Sequence, residues 1–309
     1  MGDQLTDHQG AVVFVDLLGF GALTNGKIKL LENDIEPWLS GTRHPYNHHY
    51  LAAHLLVELR GLLQRLNHRF KDLTIAQLSD CFFAWSKKTD EVVCFTHLFM
   101  HEAIKGGLLC KGGLAYGQII ETEQNHELGR LIMGDAVTTA AGLERHAKGA
   151  RILTEPNLVE SLYDQNPKLS NQMNGFFEPF ENPLDFTIYD EFKWYLTDDL
   201  QKLPDCGPTF CKPDEKLQFT KNRLMLDTLL IHSPKFSWNA RNEQGQVHLK
   251  ATSNFLSISG LLDIKHDFER RGFPERRGND RVKTINDLVD KDNGFCLAKQ
   301  AWVKTPEKK

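Results

Sequence analysis

Two aspartates stand where a buried strand gives way to a turn. Asp16 follows the continuously apolar, largely β-branched run Ala11-Val12-Val13-Phe14-Val15 and precedes Gly19 and Gly21, the pattern of a buried central strand ending in a tight loop. Asp80 lies in Ser79-Asp80, between Leu73–Leu78 and Cys81–Trp85, which read as the two short strands of a hairpin. Asp16 alone is equally well explained as a strand-end or helix-capping residue. Two acids on neighbouring strands of one sheet can instead converge on a pair of divalent cations. Mg²⁺ or Mn²⁺ held by one or two carboxylates neutralises a triphosphate, orients it and acidifies an attacking hydroxyl, so the layout is one for phosphoryl transfer.

Other residues with metal chemistry are less well placed. His44, His48, His49 and His54 crowd one stretch around Pro45 and Tyr46, but no Cys or carboxylate sits at a recognised ligand spacing. They read as a polar loop leading into a helix. The six cysteines, Cys81, Cys94, Cys110, Cys206, Cys211 and Cys296, form no CxxC pair, which argues against a zinc ribbon or a disulfide scaffold. They read as reduced packing residues.

The elements that must carry Asp16 and Asp80 follow from periodicity. Leucines at 51, 55, 59, 62, 63 and 66 recur at helical spacing and predict an amphipathic helix across a sheet. Val92, Phe95, Phe99 and Ala103 predict a second helix, ended by Gly106-Gly107. A strand runs from Leu108 through Lys111-Gly112-Gly113-Leu114-Ala115-Tyr116-Gly117, its glycines implying a bend or a close backbone approach. Leu131–Asp135 opens a helix through Ala140 and Leu143, Ala150–Thr154 is a strand, and Pro156 starts a further helix. Strand, helix, two strands, helix, strand is the order of a ferredoxin-like α/β (α+β) sandwich, here lengthened. Beyond Asp199 the texture changes to prolines and charge-rich stretches such as Glu269–Arg277, giving a main domain over 8–199 and an accessory C-terminal region over 200–309, with Thr305–Lys309 as a frayed tail.

Bulk properties bound the partners. The 309 residues are 40% apolar, enough for a real core, and 25% charged, balancing to a formal net charge of −4. No global basic field exists to hold a nucleic-acid backbone or an anionic membrane. The longest apolar runs are far shorter than the roughly 20 residues that span a bilayer, and no signal-peptide pattern opens the chain, so a cytoplasmic protein is expected.

The residues flanking the two acids carry a resemblance. Phe14-Val15-Asp16-Leu17-Leu18-Gly19-Phe20 resembles the first metal motif of class III nucleotidyl cyclases, and Leu78-Ser79-Asp80-Cys81-Phe82-Phe83-Ala84-Trp85 is similar to their second, in which Gly-Asp is commoner than Ser-Asp. Gly134-Asp135-Ala136-Val137 through Ala140-Ala141-Gly142-Leu143-Glu144 resembles the third block, and Ile152-Leu153-Thr154-Glu155 the strand after it. The resemblance covers about residues 10 to 165. Where the third block usually carries an Asn and, four residues on, an Arg that cross the dimer to the ribose and triphosphate, this chain has Thr138 and Gly142. Where a purine-selecting Lys and Asp stand, it has Ala76 and Leu131. Metal acids kept and purine readers lost resemble the bacterial pyrimidine cyclases of the Pycsar antiphage systems, and Lys111–Gly117 is similar to the glycine-bearing strand of that branch.

That resemblance implies a class III nucleotidyl cyclase sandwich with two Mn²⁺ or Mg²⁺ ions. The catalytic metal ligands would be Asp16 and Asp80, with Leu17 binding through its carbonyl. The loop Phe14, Leu17, Leu18, Gly19, Phe20 would cradle phosphates with its backbone. The substrate would be UTP, or alternatively CTP, cyclised to a 3′,5′-cyclic nucleotide that signals to a separate effector protein, and the enzyme would be a homodimer. A degenerate, non-catalytic nucleotide-binding or dimerisation module is the competing reading, and a purine cyclase with unusual readers a third. Some cation must still meet the charge developing at the α-phosphate and the departing pyrophosphate, and Lys111, Arg130, Arg145 and Arg151 lie nearest in sequence to the right elements. Tyr50, at the mouth of the long helix, would fill the volume of a purine's second ring and address a pyrimidine edge, or else simply pack a helix start.

Overall fold

A computed structural model describes residues 5–122, 130–181, 186–203 and 213–257. Its centre is β1 (Leu5–Leu17), which the apolar run predicts and which extends further toward the N-terminus than that run. β1 lies between β3 (Cys81–Ser86) and β4 (Cys110–Thr122), pairing antiparallel with both. With β2 (Thr74–Leu78), β5 (Ile132–Met133), β6 (Ile152–Thr154), β7 (Phe177–Glu181) and β8 (Ile188–Phe192) it forms one sheet in the order β2-β3-β1-β4-β6-β8-β7, β5 pairing with β4. Every pairing is antiparallel except β4 with β6. The fold is therefore a mixed α/β sheet structure rich in antiparallel pairs.

The helices of the N-terminal half are α1 (Phe20–Thr24), α2 (Glu32–Leu39), α3 (His48–Asn67) and α4 (Thr89–Gly106). After them come α5 (Asp135–His146), α6 (Pro156–Gln165), α7 (Pro167–Gln172), α8 (Pro213–His232) and α9 (Glu243–Ser257). Short 3₁₀ segments cover Trp194–Leu196, Leu200–Lys202 and Pro234–Arg241.

The period-2 alternation of β1 sorts its side chains onto two faces. Ala11, Val13, Val15 and Leu17 join Phe82, Ala84 and Leu114 in the larger core, under α3 and α4. The predicted leucine stripe of α3 is buried there along its length, each leucine contributing about 1.5–3 kcal/mol of apolar burial. α4 stops where Gly107 enters the left-handed region, as the paired glycines predict. On the other face Val12, Trp85, Ala115 and Ile119 meet Ala136, Ala140 and Leu143 of α5. Gly113 allows that approach: a Cβ there would lie 2.1 Å from the Ala140 carbonyl oxygen.

The larger core does not stop at residue 199. Phe219, Leu226, Leu230, Phe236, Trp238, Leu249 and Phe255 join it beside Leu18, Trp38 and Trp194. Asp34 of α2 is fully buried and takes a bidentate pair of bonds from Arg241 at 2.7 and 3.0 Å. Arg241 and the Leu31 amide hold the Asp34 carboxyl below its usual range against the opposing effect of burial. Cys206, Cys211, Cys296 and Thr305–Lys309 lie outside the described residues, while Cys81, Cys94 and Cys110 are free thiols. No helix among the described residues is long and apolar enough to cross a membrane.

Candidate active site

Register brings the acids together. Asp16 lies opposite Cys81 of β3 and opposite Lys111 of β4, and residues directly opposite in an antiparallel pair point to the same face. Asp80 is the second residue of the two-residue turn joining β2 to β3, and Ser79 before it takes φ +58, the left-handed conformation such turns require. The Leu17 amide donates to the Asp80 carbonyl at 3.0 Å, tying the hairpin tip to the end of β1.

A third carboxylate completes the cluster. Glu144, buried on α5, pairs with the Lys111 ammonium at 2.6 Å, and Lys111 Nζ also donates to the Glu144 carbonyl at 3.0 Å. Burial, then the Glu144 and Asp80 carboxylates, push the Asp16 pKa up to about 7, against the opposing pull of Lys111 and the Leu17 amide. Burial and the same three acids push the Cys81 thiol up to about 11, so it is no nucleophile near neutral pH. A buried carboxylate pushed toward protonation by two neighbouring acids is a donor that a divalent cation fits. Among the described residues no three His, Cys, Asp or Glu side chains make a ready metal site, and Mg²⁺-type sites that share their ion with substrate phosphates need only one or two carboxylates.

The remaining expected site residues divide. Leu18 and Phe20 point their side chains into the larger core, so only their backbone can face a ligand. The Leu18 amide is already spent on the Leu109 carbonyl at 2.8 Å, as that of Leu17 is on Asp80. Gly19, at φ +84, opens α1, and a Cβ there would lie 3.2 Å from the Trp238 ring. Phe14 turns to the α5 face and packs its ring on Phe83, centroids 4.5 Å apart. Tyr50, on the first turn of α3, stacks on His44 at 4.8 Å, and Asn47 caps that turn by accepting from the Tyr50 amide at 3.0 Å. His48 and His49 begin α3, as a loop entering a helix implies.

Of the four candidate cations, Lys111 alone pairs into the Asp16 cluster. Arg130 donates to Glu121 at 2.9 Å and Thr74 at 3.2 Å, toward the opposite end of the sheet. Arg151 is held by Glu191 at 3.2 Å and lies over the Phe180 ring, and Arg145 is exposed on α5. Thr138 is exposed, and a side chain at Gly142 would enter open space. Sequence reasoning missed Glu144 as a site residue. Its one signal is an acid next to Leu143 on the buried stripe of a helix.

No family model matches the chain, and no curated protein does. Its structural neighbours are adenylyl and guanylyl cyclase domains. A bacterial light-regulated adenylyl cyclase is 18% identical with a TM-score of 0.41, over 74% of this chain and 59% of that one. The guanylyl cyclase Cya2 is 15% identical with a TM-score of 0.41, over 62% of this chain and 94% of that one. The guanylate cyclase domain of RhGC from Catenaria anguillulae, in complex with GTP, is 15% identical with a TM-score of 0.38, over 60% and 96%.

Proposed function

We propose that this chain is a metal-dependent pyrimidine nucleotide cyclase that converts UTP to 3′,5′-cyclic UMP and pyrophosphate, with CTP as the alternative substrate. The observation that carries the reading is the convergence of Asp16 and Asp80 at one end of β1, beside the Lys111–Glu144 pair. Asp16 and Asp80 hold Mn²⁺ or Mg²⁺, with the Leu17 carbonyl as a further ligand. The bound cations supply charge neutralisation and a more acidic 3′-hydroxyl. The ribose O3′ forms a bond to the α-phosphorus while the bond from that phosphorus to the β-phosphate oxygen breaks, the electron pair leaving with pyrophosphate and the hydroxyl proton passing to water. Lys111, pre-positioned by Glu144, is the nearest fixed cation for the charge that develops.

Base choice rests on what is missing. Ala76 is partly buried on the α5 face beside Phe14 and Phe83, and Leu131 is exposed, so neither position offers a purine edge a polar partner. Each base group left unpaired on burial costs on the order of 1–3 kcal/mol, which disfavours ATP and GTP. Tyr50 is assigned to the base side with His44 stacked behind it. A homodimer is part of this reading: on the α5 face, Phe14, Ala76, Phe83 and Ile132 stay partly open, and Leu131 and Met133 are exposed beside them. A second copy would cover that strip and complete the site. The product acts as a cytoplasmic signal to a separate effector in antiphage defence.

The competing reading is a degenerate module that binds nucleotide without turnover, favoured by the absence of an Asn and an Arg at Thr138 and Gly142. Incubating the purified chain with UTP and Mn²⁺ separates the two. Cyclic UMP and pyrophosphate in equal amounts support the enzyme, and bound but unconverted UTP supports the module.

A further inference from the structure

The loop that follows Asp16 is held from the C-terminal region. The Leu17 and Leu18 amides are bonded to the Asp80 and Leu109 carbonyls at 3.0 and 2.8 Å. The next backbone group, the Leu18 carbonyl, accepts from Asn239 Nδ2 at 3.4 Å, across 221 positions of sequence. Gly19 then turns through φ +84 against the Trp238 ring, where a Cβ would lie 3.2 and 3.4 Å from two ring carbons and 3.6 Å from Asn239 Nδ2. Because each peptide is planar, bonds at the Leu18 amide and the Leu18 carbonyl fix the peptides on both sides of its Cα. The first of these peptides carries the Leu17 carbonyl.

Trp238 and Asn239 are themselves fixed in place. Lys235 Nζ donates to the Gly106 carbonyl at 3.0 Å, the Lys235 carbonyl accepts the Trp38 indole N–H at 3.2 Å, and Arg241 pairs with the buried Asp34 at 2.7 and 3.0 Å. A Cβ on Gly245 of α9 would lie 1.7 Å from the Asn239 carbonyl oxygen, so α9 closes on this residue. Packing alone does not account for the residue types. Both side chains are 1% exposed, yet Trp238 Nε1 and Asn239 Oδ1 have no hydrogen-bond partner among the described residues. Burying unpaired polar atoms is destabilising, and a leucine of similar size at position 239 would avoid it. What Asn239 supplies and a leucine does not is the N–H to the Leu18 carbonyl.

We propose that Asn239, backed by Trp238, is a positioning residue for the metal site: it holds the Leu18–Gly19 turn so that Asp16 and the Leu17 carbonyl meet a divalent cation together. The proposal rests on the metal-site part of the cyclase reading and not on the identity of the nucleotide. It makes the C-terminal region a working part of the site.

The test measures binding of Mn²⁺ alone to the full chain, through the electron paramagnetic resonance of the free ion, with Asp16→Asn as the blank for binding elsewhere. Asn239→Leu should melt within about 4 °C of the unmodified chain and bind Mn²⁺ about tenfold more weakly. Phe236→Leu, a packing change at a buried residue of the same segment that leaves the Leu18 bond in place, should lower the melting temperature and leave Mn²⁺ affinity unchanged. If the leucine variant does not fold, Asn239→Ala is measured in its place against the same expectation. Unchanged Mn²⁺ affinity without the Asn239 amide overturns the proposal and leaves the metal site standing. So does a loss of affinity that the Asn239 variant and Phe236→Leu share in step with their melting temperatures, or unfolding of both Asn239 variants, which would make the residue part of the scaffold. An unmodified chain that binds no more Mn²⁺ than Asp16→Asn overturns the metal site itself, and the proposal with it.

Discussion

Asp16 is held in a conflict that no apolar or neutral side chain would create, since burial and two neighbouring carboxylates all work against its charge. Replacing Asp16 or Asp80 with Asn removes a charge of the proposed metal site and relieves like-charge repulsion while leaving the apolar faces of the sheet alone. Either variant should lose cyclic nucleotide production by more than about a hundredfold. Its melting temperature should be unchanged or slightly raised. Near-normal product yield with either acid replaced would remove the metal-site reading. At this scale the two aspartates were legible because each interrupts an apolar run at a turn. Glu144 was not legible, because what makes it a site residue is the ammonium of Lys111, which β4 brings to it from 33 positions away.

The elements set tolerances of their own. α5 lies so close over β4 that a methyl group at Gly113 would meet backbone atoms at Ala140 and Glu144, neither of which can swing aside. Gly113→Ala should therefore cost about 1–3 kcal/mol, read as a lower urea midpoint. An unchanged midpoint would mean that α5 is not seated on this strand. α4 is anchored differently, through His97 Nε2 to the Thr197 carbonyl at 2.8 Å and His101 Nε2 to the Trp194 carbonyl at 3.0 Å. Burial above all holds His97 down to about 3 and His101 down to about 4, against roughly 6.5 in an unfolded chain. Between about pH 6.5 and pH 4 the unfolded state then binds more protons than the folded one. Stability is thus fully present above that window and falls as pH drops, by up to about 1.4 kcal/mol per unit for each histidine. Thermal melts from pH 7 to pH 5 should show the fall, and it should shrink in His101→Leu, which has nothing to titrate. β1, the β2–β3 hairpin, α3, α4, β4, α5 and β6 were legible because their periods are local. α2 was not, since it carries Pro37 inside the helix and buries Asp34 against the charge of Arg241, 207 positions away. α8 and α9 were hidden for the same reason: their mixed composition reads as an appendage until Trp238 and Phe255 are seen in the shared core.

At the scale of the whole molecule, one chain presents two converging aspartates, one paired lysine and a sheet face that α5 covers only in part. The account therefore expects a homodimer at assay concentrations, visible as twice the mass of a 35.3 kDa chain in light scattering. A monomer with full activity would contradict it. The net charge of −4 gives such a dimer no general attraction for polyanions, so the proposed nucleotide capture would come from the local cluster of Asp16, Asp80, Lys111 and the cations they would hold. The most direct measurement of the central claim gives the purified chain equal concentrations of ATP, GTP, CTP and UTP with Mn²⁺ and resolves the products by chromatography. The account predicts 3′,5′-cyclic UMP as the main product, with cyclic CMP the next permitted, and none from the Asp16→Asn chain. Cyclic AMP or cyclic GMP as the main product, or no cyclic nucleotide at all, would contradict it.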